Sequence, residues 1–253
     1  MSADDSDRWA WPEGVARHVL AEVDSTNSEA ARIGPSLTRP AWILAHRQTA
    51  GRGRRGRAWV DPVGNFAATL VMRPAGGPSQ AALRSFVAAL ALEEALSALL
   101  GPAARLALKW PNDVLLNGGK VSGILIEGIA GGEKIAIGIG VNLAHAPDPA
   151  DRDPRAPRPV SVAGETGIAV TPEELLDRLA PAFARWEAQL LAYGFSPLRE
   201  AFLARVTRLG QPIVARTMSE TIEGTFETID ADGSIVLMTA EGRRALPAAD
   251  LFF

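Results

Sequence analysis

The chain has 253 residues, 47% of them hydrophobic, and a formal net charge of −3, enough for one substantial buried core and a small second one, and too acidic for a general nucleic-acid binder. Cysteine is absent, which excludes a disulfide frame, a thiol nucleophile and a thiolate metal site. Residues 1–7 lack the basic and apolar regions of a secretory signal and no apolar run approaches the roughly 20 residues of a membrane span, so a cytoplasmic protein without a membrane partner is expected.

Residues 15–23 read as a short strand. Asp24, Ser25, Thr26 and Asn27 follow, all good N-cap acceptors, and open a short helix that runs toward Gly34-Pro35. Residues 42–46 and 66–72 are two further strands. Between them lies Gly51-Arg52-Gly53-Arg54-Arg55-Gly56-Arg57, four guanidinium groups on a backbone that glycine leaves free to approach a ligand, which is a pattern suited to holding anions. No acidic residue falls between Glu29 and Asp61, whereas seven arginines do, so one surface is expected to be locally electropositive and to suit a small anionic ligand. Glycine-arginine segments that bind RNA are longer, repeated and outside a sheet; this one is none of these. Like charges and the entropy of glycine predict a loop that becomes ordered only with its ligand.

Residues 79–100 are rich in alanine and leucine and stop at Gly101-Pro102, a helix packed on the sheet. Runs at 105–110, 113–116, 120–129 and 133–143, with turns at Asn117-Gly118-Gly119 and Gly131-Gly132, predict an antiparallel meander. Lysine occurs at only three positions, 109, 120 and 134, and Lys109 and Lys120 flank the segment Trp110-Pro111-Asn112-Asp113. Lys120 opens a strand of small and apolar residues containing Gly123, where a cation beside a closely approachable backbone points to a ligand. Lys109 reads equally well as a solvated strand residue, Asn112 and Asp113 as turn caps, and Asn142 is weak evidence alone. His18, His46 and His145 show no metal-ligand spacing.

Pro147, Pro149, Pro154, Pro157 and Pro159 mark residues 144–160 as a long surface loop. Thr171-Pro172-Glu173-Glu174 is a capping box opening a helix to about residue 192, and Ser196-Pro197 begins another that ends near 206. Beyond 209, short apolar runs at 213–215, 222–226 and 235–238, punctuated by Asp232-Gly233 and Glu241-Gly242, predict a small all-β barrel of about 45 residues. The expected fold is α+β: a mixed-sheet domain over 1–207 and a small domain over 208–253.

Taken together, Gln48-Thr49-Ala50-Gly51-Arg52-Gly53-Arg54-Arg55-Gly56-Arg57-Ala58-Trp59, Lys109-Trp110-Pro111-Asn112-Asp113, Lys120-Val121-Ser122-Gly123-Ile124-Leu125-Ile126-Glu127 and Gly138-Ile139-Gly140-Val141-Asn142 resemble the signature segments of biotin protein ligases, in that family's order and spacing. The resemblance covers about residues 15–250. It implies a fold like that of class II aminoacyl-tRNA synthetases and the biotin and lipoate ligases, with an SH3-like β-barrel at the C-terminal end. It implies activation of biotin with MgATP to biotinyl-5′-adenylate, then transfer to a lysine of a biotin carboxyl carrier protein, a carboxylase subunit.

Carried over by position, Ser25, Thr26, Asn27 and Gln48 would contact the biotin rings. Gly51, Arg52, Gly53 and Arg54 would lie over the acyl chain and α-phosphate, with Arg54, Arg55 and Arg57 available to the ATP phosphates. Trp59 would stack on adenine or shield the adenylate; Asn112, Asp113 and Asn142 would serve the nucleotide, Asp113 also reaching Mg2+ through water. Lys120 would hold the carboxylate and then the acyl phosphate, with Arg52 and Arg54 as further catalytic cations, and Gly123 would let its strand pass close to biotin. Only some fifteen residues precede the first strand, too few for the DNA-binding domain of repressor members, so no DNA partner is expected; a homodimer is left open. The rivals are a lipoate or octanoate transferase of the same fold and a non-enzymatic ligand sensor or RNA-binding module.

Overall fold

Continuous apolar runs place two strands at the centre of the molecule. In the computed structural model, which describes residues 7–102, 104–148 and 157–253, β2 (Ala41–Ala45) is buried along its whole length and β3 (Phe66–Met72) at every position but the last, the signature of a sheet covered on both faces. With β1 (Ala16–Leu20), β4 (Leu106–Lys109), β5 (Asp113–Leu116), β6 (Gly119–Ile129) and β7 (Lys134–Val141), they form one seven-stranded sheet in the order β1-β2-β3-β7-β6-β5-β4. β1 pairs with β2 in parallel and all other neighbours are antiparallel, so the expected mixed sheet and meander are present.

Alternation along the strands sends alternate side chains to different covers. Phe66, Ala68 and Leu70 join the main core with Trp42 and Leu44. That face is covered by α3 (Arg84–Leu100) and α5 (Pro172–Tyr193), against both of which α6 (Ser196–Leu203) packs, and Trp42 meets Phe183 of α5 edge to face, centroids 6.0 Å apart. On the opposite face, α1 (Thr26–Ile33) lays Ala30 over Ile43, Val71, Ile129 and Ala136, a small second core. α1 covers only part of its face. The site occupies the remainder.

The helix predicted over 79–100 is two helices, α2 (Pro78–Ala82) and α3, divided at Leu83. Arg84 Nη1 donates to the Gln80 carbonyl at 2.7 Å, taking the acceptor an unbroken helix would offer to the Arg84 amide, while Arg84 Nη2 pairs with buried Glu187 of α5 at 2.6 Å. α5 begins with the expected capping box: Thr171 Oγ1 accepts from the Glu174 amide at 3.2 Å and Glu174 Oε2 accepts from the Thr171 amide at 2.8 Å. A short helix, α4 (Val162–Thr166), was not expected; Ser161 Oγ caps it by accepting from Gly164 N, and Gly167 ends it in the left-handed region. The proline loop has no regular structure over residues 144–148 and 157–160 apart from a Lys120–Pro159 bridge. Its Pro149 and Pro154, like residues 1–6, lie outside the described residues.

The C-terminal strands are β8 (Pro212–Arg216), β9 (Thr221–Ile229), β10 (Ile235–Thr239), β11 (Gly242–Leu246) and β12 (Asp250–Phe252), in the order β11-β10-β9-β8-β12, every pair antiparallel. The expected small all-β domain is present as this antiparallel sheet, and no ladder joins β11 to β12 among the described residues. β12 is three residues long and lines the cavity described below instead. The two sheets share one contiguous apolar core, and Trp110 Nε1 donates to the Gly233 carbonyl across their boundary at 3.0 Å.

Candidate active site

The uncovered part of the α1 face is a cavity of about 490 Å3. Its floor is built by glycine. A Cβ on Gly140 of β7 would stand 2.5 Å from Trp59 Cε2, and one on Gly123 of β6 3.3 Å from Trp59 Cζ3, so the indole rests against bare backbone that no other residue would provide. A Cβ on Gly138 would collide with Asn27 Oδ1.

One end of the cavity presents uncharged side chains, Ser25, Thr26, Asn27 and Gln48, in a dense hydrogen-bond network. Thr26 donates from its amide to Gln48 Oε1 at 2.8 Å and from its hydroxyl at 3.2 Å, so Gln48 satisfies one of the four first-turn amides that have no partner within the helix. Ser25, at the N-cap itself, makes no capping bond with its side chain. Thr69 Oγ1 lies 2.7 Å from Asn27 Oδ1 and 2.8 Å from Thr26 Oγ1. Asn27 Nδ2 donates to Glu127 Oε2 at 2.7 Å, and the same oxygen meets Arg52 at 3.2 Å.

The other end is ionic. Buried Asp113 stands between Lys120, 2.7 Å away, and Lys109, at 3.5 Å. Burial pushes the Asp113 carboxyl up, but the two lysines and Arg54 outweigh it and hold it below its ordinary pKa; burial lowers the pKa of Lys109. Arg54 Nη1 donates to Asn112 Oδ1 at 3.0 Å, and Asn112 Nδ2 is anchored on the Ile124 carbonyl at 2.7 Å. Trp59 Nε1 and Asn142 Oδ1 are buried in the cavity wall without a hydrogen-bond partner among the described residues. Such atoms cost about 1–3 kcal/mol each when left unpaired, which suits them to a polar ligand.

The arginine loop follows a defined path. Gly53 N donates to Arg57 O at 2.7 Å and Trp59 N to Gly51 O at 2.9 Å, with Arg55 (φ 56) and Gly56 (φ 71) making the left-handed tip. Its like charges meet a counter-charge from the far end of the chain: Asp250 of β12 lies 2.7 Å from Arg55, 3.3 Å from Arg57 and 3.9 Å from Arg54.

Of the residues singled out in the sequence, Ser25, Thr26, Asn27, Gln48, Arg52, Gly53, Arg54, Arg57, Trp59, Asn112, Asp113, Lys120, Gly123 and Asn142 line this one cavity. Two do not: Gly51 backs Trp59, a Cβ there meeting the Trp59 carbonyl at 2.6 Å, and Arg55 is drawn to Asp250. Lys109, whose two readings were level, lines the cavity as well. Gly138 and Gly140 could have been found from glycine spacing within a strand. Arg216, Asp250 and Phe252 carried no local signal. Among the described residues no three His, Cys, Asp or Glu side chains cluster as a metal site, and an Asp113 already paired with two lysines fits a cation reached through water better than one bound directly.

Residues 21–143 match the biotin/lipoate A/B protein ligase family and residues 209–253 the biotin protein ligase C-terminal domain. A biotin–acetyl-CoA-carboxylase ligase of Paracoccus denitrificans is 60% identical over 238 residues, covering 93% of this chain and 99% of that protein. The biotin protein ligase of Aquifex aeolicus in complex with biotin and ATP has the same fold, with a TM-score of 0.79 at 24% identity over 93% of this chain and 97% of that one. The biotin protein ligase of Leishmania major with biotinyl-5-AMP superposes with a TM-score of 0.65 at 25% identity over 94% of this chain and all of that one.

Proposed function

Because this chain belongs to the biotin protein ligase family, we propose that its cavity is the place where biotin is adenylated, the end at Thr26 and Gln48 taking the biotin rings and the ionic end the reacting carboxylate and phosphates. The enzyme activates biotin with ATP and transfers it to a carrier protein. A biotin carboxylate oxygen attacks the α-phosphorus of ATP and pyrophosphate leaves; the carrier lysine amine then attacks the acyl carbon, AMP leaves, and an amide forms with loss of a proton. The carrier is a biotin carboxyl carrier protein, and the reaction belongs in the cytoplasm.

The carrying observation is the Lys109–Asp113–Lys120 cluster, 3.5 and 2.7 Å across its two pairs, at the end of the cavity opposite the Thr26–Gln48 network. Adenylation brings a carboxylate onto a triphosphate, so its main requirement is cationic charge placed before the reactants meet. Lys120 meets the carboxylate and then the acyl phosphate, with Arg52 and Arg54 neutralising the α-phosphate. Ser25, Thr26, Asn27 and Gln48 offer biotin both donors and acceptors, while Gly51, Gly53 and Gly123 keep backbone close to the chain. Trp59, Asn112, Asp113 and Asn142 serve the nucleotide. Arg55 and Arg57 reach the phosphates on leaving Asp250. Magnesium brought in with ATP would supply charge screening for the triphosphate, and Asp113 is the residue that would help to hold it. We divide the chain at residue 207, the second part covering the nucleotide end with Asp250 and Phe252.

Pyrophosphate release with MgATP tests this reading, with biotin, lipoate and octanoate compared in parallel. Release with biotin alone supports it. Release with lipoate or octanoate instead makes this a ligase for another acid, and none with any acid removes the catalytic reading.

A further inference from the structure

Asp61, in the loop after Trp59, is 8% exposed and its Oδ1 is buried without a hydrogen-bond partner among the described residues. Its Oδ2 accepts from Gln48 Nε2 at 3.3 Å. Burial raises its pKa to about 6, and the groups opposing the rise belong to Gln48 rather than to any cation. A buried carboxylate with one neutral partner opposes folding, so its presence asks for a role.

Gln48 is held from both sides. Its Oε1 accepts two bonds from Thr26, which use both lone pairs, and its Nε2 gives one hydrogen to Asp61. Turning the amide over would set its NH2 against the Thr26 N–H and its oxygen against the carboxylate, both repulsive. One N–H therefore remains, on a side chain that lines the cavity. We infer that Asp61 is a positioning residue for ligand recognition: it holds the Gln48 amide so that this end of the cavity presents a donor, and no acceptor, from Gln48 to bound biotin. The inference rests on the biotin reading of that end.

The test is pyrophosphate release with biotin and ATP varied separately, in wild type, Asp61→Leu, Asp61→Asn, Gln48→Ala and the double variant Asp61→Leu/Gln48→Ala. Losing one orienting hydrogen bond is expected to raise the biotin KM of Asp61→Leu roughly 3- to 10-fold while kcat and the ATP KM stay near wild type. Asp61→Asn, whose Oδ1 still accepts from Gln48, restores the biotin KM. The double variant is no worse than Gln48→Ala, because both changes remove one contact. A wild-type biotin KM in Asp61→Leu overturns the inference, as does an effect additive with Gln48→Ala or an equal loss in kcat and ATP KM. Should Asp61→Leu not fold, Asp61→Ala takes its place in the same comparison. Wild-type protein inactive with biotin overturns the reading of the site and this inference together; active wild type with an unaltered Asp61→Leu overturns the inference alone.

Discussion

Arg55 and Asp250 stand 2.7 Å apart although 195 positions separate them in the chain. The pair ties the tip of the arginine loop to the last strand of the C-terminal sheet, and Arg57 and Arg54 converge on the same carboxylate. With Asp250 facing Arg54, Arg55 and Arg57 and Glu127 facing Arg52, half of the loop's formal positive charge remains uncompensated. Under the function proposed above, phosphates entering the cavity would compete with Asp250 for these arginines.

Each of these pairs is partly exposed and worth about 0.2–1 kcal/mol alone, so Asp250→Asn is expected to loosen the loop without unfolding the protein. Limited trypsin digestion should cut at Arg52–Arg57 several-fold faster in the variant than in wild type, with protection returned by MgATP and biotin. Equal cleavage of the two proteins without ligand would show that Asp250 does not hold the loop.

Lys120→Ala is expected to lower biotin-dependent pyrophosphate release roughly 100- to 1000-fold, the scale for removing one preorganised charge-stabilising group. Asp113 keeps Lys109, so the variant should still unfold cooperatively in urea. Pyrophosphate release at the wild-type rate would refute the role given to Lys120.

Asp61 predicts a pH dependence of stability. Its folded pKa of about 6 lies above the ordinary 3.8, so the folded state binds the proton more tightly, and the contribution is fully present below about pH 4 and is lost as pH rises through 6. The gap of about 2 pKa units corresponds to about 3 kcal/mol at most. Asp61→Asn should therefore be more stable than wild type at pH 7.5 and gain little at pH 4, as urea unfolding at the two pH values would measure. An identical difference at both would remove Asp61 as its source.

Gly138→Ala should displace Asn27, whose Oδ1 occupies the place of the new methyl group, and so disturb its bonds to Thr69 and Glu127. The expected results are a loss of about 1–3 kcal/mol in stability and a raised biotin KM. Gly128→Ala, on β6 with nothing within 4 Å of the added carbon, is the control. Thermal unfolding and biotin titration check both, and equal behaviour of the two variants would remove the collision as a cause.

By itself the sequence determined whatever its neighbouring residues decide. The capping box at Thr171 and Glu174, the hairpin glycines of the meander, the long apolar strands and the seven-residue arginine loop all express physics that acts over a few positions, through capping bonds, positive φ and side-chain periodicity. The recurrence of several such segments in a family's order makes most of the cavity wall legible in the sequence alone. What only the tertiary structure decided are meetings between distant positions: the break at Leu83, where Arg84 turns to Glu187 of another helix; the strand order of the C-terminal sheet; Asn27 on Glu127; and Asp250 among the arginines. A carboxylate such as Asp250 or Asp61 reads locally as a solvated surface group, because burial and the charge of partners far along the chain set its energy, and these exist only once the sheets have packed.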